Sequence, residues 1–111
     1  MKTRNELRTE IDAIDSQLLD LLNRRARLAI EVARLKEQEG SPLLDRERER
    51  TVVSRACAAN GGPLHRQSVA RIFQTLIRES RLVQSRAVKQ PARQETIERR
   101  RSVTTGMRGR A

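Results

Sequence analysis

The chain has 111 residues, a formal net charge of +10 and a single aromatic residue, Phe73. That length favours one domain, and a core without aromatic bulk must be built from Leu, Ile, Val and Ala, which suits packed helices. Cys57 is alone, so an intrachain disulfide is excluded; no Cys/His spacing suits a metal, and no secretory or bilayer-spanning run follows Met1, so a cytoplasmic protein is expected.

Apolar residues at three- and four-residue steps predict a first helix from about Asn5 to Glu39, through Leu7, Ile11, Ile14, Leu18, Leu21, Leu28, Val32 and Leu35. The Gly-Ser-Pro at 40–42 ends it. Such a helix is a rod of roughly 50 Å, too long for two shorter helices to cover. A second copy of the chain, crossing antiparallel near residues 18–20, is the economical cover. The second helix is short, about Asp45 to Ala59, with Asp45 suited to the N-cap and Asn-Gly-Gly-Pro at 60–63 closing it. The third runs from about Leu64 to Arg86, with Val69, Ile72, Phe73, Leu76, Ile77 and Val83 inside. No period-two alternation predicts a strand.

Charge is unevenly placed. Residues 1–86 hold 17 Lys/Arg against 12 Asp/Glu, and residues 87–111 hold 7 against 2, so each part carries +5. The segment 87–111 has few large apolar residues to offset its ordering entropy, and its composition predicts a disordered basic tail after a helical domain over 1–86.

Each helix also turns polar groups toward its apolar side. Arg25 and Lys36 fall at the centre of the first stripe, whereas Arg24, Arg27 and Arg34 lie at the back, expected in solvent. Arg8 sits at the stripe edge. Ser80 and Gln84 continue the line of Val69, Phe73, Leu76 and Ile77; Asp45, Arg48 and Glu49 continue the line of Val52 and Ala56. A buried unpaired charge costs several kcal/mol, so these groups satisfy one another or await a ligand. A buried Arg25–Glu49 salt bridge, with Ser80 and Gln84 bonded to backbone, is the plain structural alternative. Cations (Arg25, Lys36, Arg48) outnumber anions (Asp45, Glu49), which favours an anionic guest. Arg8 and Arg25 are roughly 25 Å apart along one helix and cannot meet within one chain, but Arg8 of an antiparallel second copy could join Arg25 and Lys36.

The stretch LRTEIDAIDSQLLDLLNRRARLAIEV, then Lys36, then GSPLLDRERE, then IFQTLIRESRLVQ, closely resembles the all-α class of chorismate mutases from about Leu7 to Arg86. Asp45 selects Arg48–Glu49 as the Arg-Glu pair of the family pattern, three and four residues beyond it. The resemblance implies an all-α fold, one long, one short and one medium helix in an intertwined, antiparallel homodimeric bundle. It also implies conversion of chorismate to prephenate by a concerted Claisen-type [3,3] rearrangement, an isomerase reaction of aromatic amino acid biosynthesis that needs no cofactor or metal. Carried over by position, Arg25 and the second copy's Arg8 clamp the carboxylates, with Ser80 and Arg48 assisting. Asp45 or Glu49, with Glu49 preferred, accepts from the ring hydroxyl, and Lys36 and Gln84 donate to the ether oxygen. Some small members dock on another shikimate-pathway enzyme, and the same is open here. Two other readings stand beside this one. A lyase of the same fold removes pyruvate from isochorismate, and a basic helical protein could bind nucleic acid, although no groove-reading motif or stacking aromatic supports that. Cys57 is expected as a free structural or surface thiol and His65 as a helix-start residue.

Overall fold

The structure, a computed structural model, describes residues 1–89. It contains three α-helices: α1 at Arg4–Glu39, α2 at Arg46–Ala59 and α3 at Arg66–Lys89. No strand occurs among the described residues, and no described helix is long and apolar enough to cross a membrane.

The helix ends follow from side-chain chemistry. Thr3 caps α1: its hydroxyl accepts from the Glu6 backbone N–H, and the Glu6 carboxylate accepts from the Thr3 N–H at 2.8 Å. This reciprocal box satisfies two of the backbone donors that every helix start leaves open. The helix thus starts at Arg4, just ahead of the expected start near Asn5, on the Thr-x-x-Glu signal of residues 3–6. At the other end Gly40 takes φ 74°, a left-handed turn that favours glycine, and its N–H returns to Glu37 and Lys36 carbonyls. Asp45 caps α2 as expected, its side chain accepting from the Arg48 N–H at 3.0 Å. The third helix ends later than expected. It runs on through Lys89, and Ala87 is buried, so residues 87–89 belong to the helix and not to a tail. The rest of the segment assigned to a basic tail, from 90 onward, lies outside the described residues.

α3 packs against both other helices, while α1 and α2 do not pack on each other among the described residues. α2 runs antiparallel to α3: Glu49 meets Arg81 at one end, and the Cys57 thiol donates to the Arg66 carbonyl at the other. α1 runs parallel to α3, since Arg25 meets Ser80 and the Ala29 carbonyl meets Gln84 one turn further on. Small residues make the α1–α3 approach close: Ala33 and Ala87 are both buried. Val69, Ile77 and Cys57 complete the core on the α2 side. Cys57 is thus a buried free thiol.

The result is a thin slab, 53 × 39 × 15 Å. Its thickness is little more than one helix diameter, about 10–12 Å with side chains. The expected stripe on α1 is not covered by the other described residues. Every residue from Met1 to Leu21 is exposed, and Leu7, Ile11, Ile14, Leu18, Leu21, Leu28, Val32 and Leu35 all lie open to solvent. α3 instead covers the neighbouring flank, where Ala26, Ala29 and Ile30 are half-buried beside Ala33. Arg34 departs from expectation for the same reason. It is half-buried, and its Nε is enclosed without a hydrogen-bond partner among the described residues.

Candidate active site

Because α1 and α2 meet only through α3, a gap is left between them with α3 as its floor. This gap is a cleft of about 310 Å³, near the lower end of the range for small-molecule sites. α1 contributes Arg25 and Lys36, the start of α2 contributes Asp45, Arg48 and Glu49, and α3 contributes Ser80 and Gln84. The apolar wall comes from Leu28, Ala29, Val32, Leu43, Val52 and Ile77. Seven of the eight residues singled out from the sequence therefore converge. The eighth, Arg8, is exposed on the first third of α1 and lies outside the cleft, as its distance along the helix from Arg25 requires.

Three donors in the cleft, on Arg25, Lys36 and Gln84, are each anchored by one bond and keep others free. The Arg25 guanidinium donates from Nη1 to Ser80 Oγ at 2.6 Å, leaving four of its five N–H groups. The Lys36 ammonium donates to the Leu43 carbonyl at 3.1 Å, leaving two hydrogens. The Gln84 amide donates from Nε2 to the Ala29 carbonyl at 2.9 Å, leaving one. Anchored side chains with spare donors are the arrangement that stabilises developing negative charge without reorganisation. Sequence pattern explains the anchoring. Ser80 and Gln84 are one turn apart on α3, as Arg25 and Ala29 are on α1, so parallel helices present two rungs at the same rise.

Of the plain structural alternative, Gln84 does bond backbone, but Ser80 bonds Arg25 instead and the Arg25–Glu49 salt bridge is not formed. Arg25 is taken up by Ser80, and Glu49 is held by Arg81 through two hydrogen bonds, Nε to Oε2 at 2.8 Å and Nη2 to Oε1 at 2.7 Å. Hydrogen bonding from Arg81 is the main reason that the Glu49 carboxyl sits below the usual carboxylate range, with burial opposing it. Arg81 itself lines the cleft and was not singled out from the sequence. The signal was present, since Ile77, Ser80, Arg81 and Gln84 follow the i, i+3, i+4, i+7 stripe of one helix face. With Arg81 counted, four cations line the cleft (Arg25, Lys36, Arg48, Arg81) against two carboxylates (Asp45, Glu49).

A family model for chorismate mutase type II matches residues 7–85. The chain belongs to the chorismate mutase type II family. Family members of known structure share its fold: two forms of chorismate mutase from Thermus thermophilus superpose with TM-scores of 0.67 and 0.72. They are 32% and 30% identical, covering 68% and 74% of this chain and 95% and 93% of theirs. Among sequences, the bifunctional chorismate mutase/prephenate dehydratase of Pseudomonas aeruginosa is 43% identical over 76 residues, 64% of this chain. The protein of the same name from Aquifex aeolicus is 35% identical over 81 residues, 69% of this chain. The matches cover only 21% and 22% of those two longer proteins. The matched residues 7–85 include all the residues that line the cleft.

Proposed function

We propose that the protein is a chorismate mutase, converting chorismate to prephenate. The observation that carries this reading is the convergence of Arg25, Lys36, Glu49, Ser80 and Gln84, from three helices, on one cleft with two more cations than carboxylates. That excess matches a dicarboxylate substrate. The rearrangement breaks a C–O ether bond as a C–C bond forms, and it calls for positioning and electrostatics rather than a nucleophile. The substrate must be held folded, with its reacting carbons near contact. Arg25, steadied by Ser80, suits a carboxylate through its planar fork of donors. Arg48, which lines the same cleft, assists, and Glu49 accepts from the ring hydroxyl, with Asp45 the less suitable acceptor because its Oδ1 already caps α2.

Negative charge builds on the ether oxygen as its bond to carbon breaks. The spare hydrogens of Lys36 and Gln84 are the donors for it. A 10⁶-fold acceleration requires about 8 kcal/mol. Two fixed donors at about 3 kcal/mol each, with conformational restraint, supply that much.

The proposed working form is a homodimer with two shared sites, each receiving Arg8 from the other copy. The eight large apolar side chains of the α1 stripe are each about half exposed. Covering them would contribute about 1 kcal/mol apiece per chain, enough across two chains to exceed most values for the cost of association, about 4–15 kcal/mol. The test of the activity is product analysis with two substrates. Prephenate from chorismate supports the mutase; pyruvate released from isochorismate, with chorismate untouched, would assign the lyase reaction of the same fold instead.

A further inference from the structure

Arg81 holds both oxygens of Glu49, and the pair is a partition. On one side is the candidate active site; on the other is a second cleft of about 380 Å³ that also carries Arg46 and Arg50. Glu49 and Arg81 line both clefts. The Arg81 side chain is half exposed, so packing alone does not hold it. Without a fixed partner, the Glu49 carboxylate is free to turn to Arg46 and Arg50, away from the site. The fork-to-fork geometry removes that freedom while leaving each carboxylate oxygen a lone pair for a further donor.

We propose that Arg81 is a positioning residue: it fixes the Glu49 carboxylate in the orientation that accepts the substrate's ring hydroxyl. This inference rests on the mutase reading above. Glu49 faces Arg81 from α3, Arg25 and Lys36 from α1 across the cleft, and Asp45, Arg46, Arg48 and Arg50 along its own helix. Arg81 is the partner that lowers the Glu49 carboxyl most. With Arg81 in place Glu49 therefore gives up its proton at a lower pH than an ordinary carboxyl, and the pairing weakens as the pH falls through that lowered value.

The test compares wild type, Arg81→Met and Arg81→Lys by two readouts: the Glu49 carboxyl titration followed by carbon NMR in the resting protein, and the pH profile of kcat/KM for chorismate. Arg81→Met should shift the Glu49 titration upward, move the acid limb of kcat/KM upward with it, and lower the plateau by roughly tenfold or more, as misplacement of a contact does. The carboxylates of chorismate titrate alike for all three proteins, so the difference between profiles belongs to the enzyme. Arg81→Lys keeps the charge without the fork; it should retain part of the titration shift and recover only part of the plateau. An active wild type whose Arg81→Met variant keeps the wild-type titration and profile overturns the inference alone. So does a rise in KM equal at every pH with the Glu49 titration unmoved, since that is a direct substrate clamp. A wild type that does not consume chorismate overturns the functional reading, and the inference with it.

Discussion

At the scale of single residues, Gln84 is the most informative. One amide hydrogen ties it to the Ala29 carbonyl, and the other is the proposed donor to the ether oxygen. A neutral amide donates at any pH, so this position should cause little loss of kcat between pH 5 and 8. A Gln84→Glu variant donates only while protonated, and the reference carboxyl value is about 4.3. Burial would raise it and Lys36 would lower it. Its kcat should therefore be highest in acid and fall as the group ionises, because a carboxylate repels the developing oxyanion. Gln84→Ala should be slow throughout, by roughly 10²-fold or more. A pH–kcat profile of the three proteins at saturating chorismate reads this out, and a flat wild-type profile for Gln84→Glu would remove Gln84 from the reacting bond. The position of Gln84 was legible in the sequence because helical periodicity needs only residue type and spacing. Its partner was not: which of several inward polar groups bond each other depends on the offset between helices. That offset pairs Arg25 with Ser80 and leaves Glu49 to Arg81.

The helices themselves were largely written in local signals. Gly40 and Pro42 end α1, and Asp45 starts α2. At the end of α3 the boundary differed, and there the cause lay in contacts rather than propensity. α3 continues to Lys89 because Ala87 is buried, in a stretch whose basic composition had suggested a tail. Two substitutions test the terminal chemistry. Gly40→Ala meets no atom within 4 Å of its new Cβ, so its cost is backbone strain alone at φ 74°. It should lower stability by about 1–2 kcal/mol, read as a shift in urea midpoint at fixed protein concentration. Thr3→Ala removes the cap of a helix whose first half is exposed among the described residues. It should cost about 1 kcal/mol only where a second copy holds that half in place. A midpoint unchanged by Thr3→Ala would mean that the start of α1 is free to fray.

For the whole molecule, the exposed stripe on α1 is the deciding feature. Its period was legible in the sequence, but the same stripe could have been covered within one chain. The 15 Å slab leaves it open, and that supports a two-chain site. Mixing Arg8→Ala chains with Arg25→Ala chains should restore part of the activity that each parent lacks, since a mixed dimer holds one intact site. No recovery despite demonstrated subunit exchange would contradict sharing. The reaction itself is read most directly from the loss of chorismate's ultraviolet absorbance on adding purified protein, run beside Lys36→Ala of unchanged helicity. Wild type should consume chorismate and form prephenate, with the variant slower by about 10²-fold or more; an inert wild type, or a Lys36→Ala protein as fast as wild type, would contradict the assignment of this cleft.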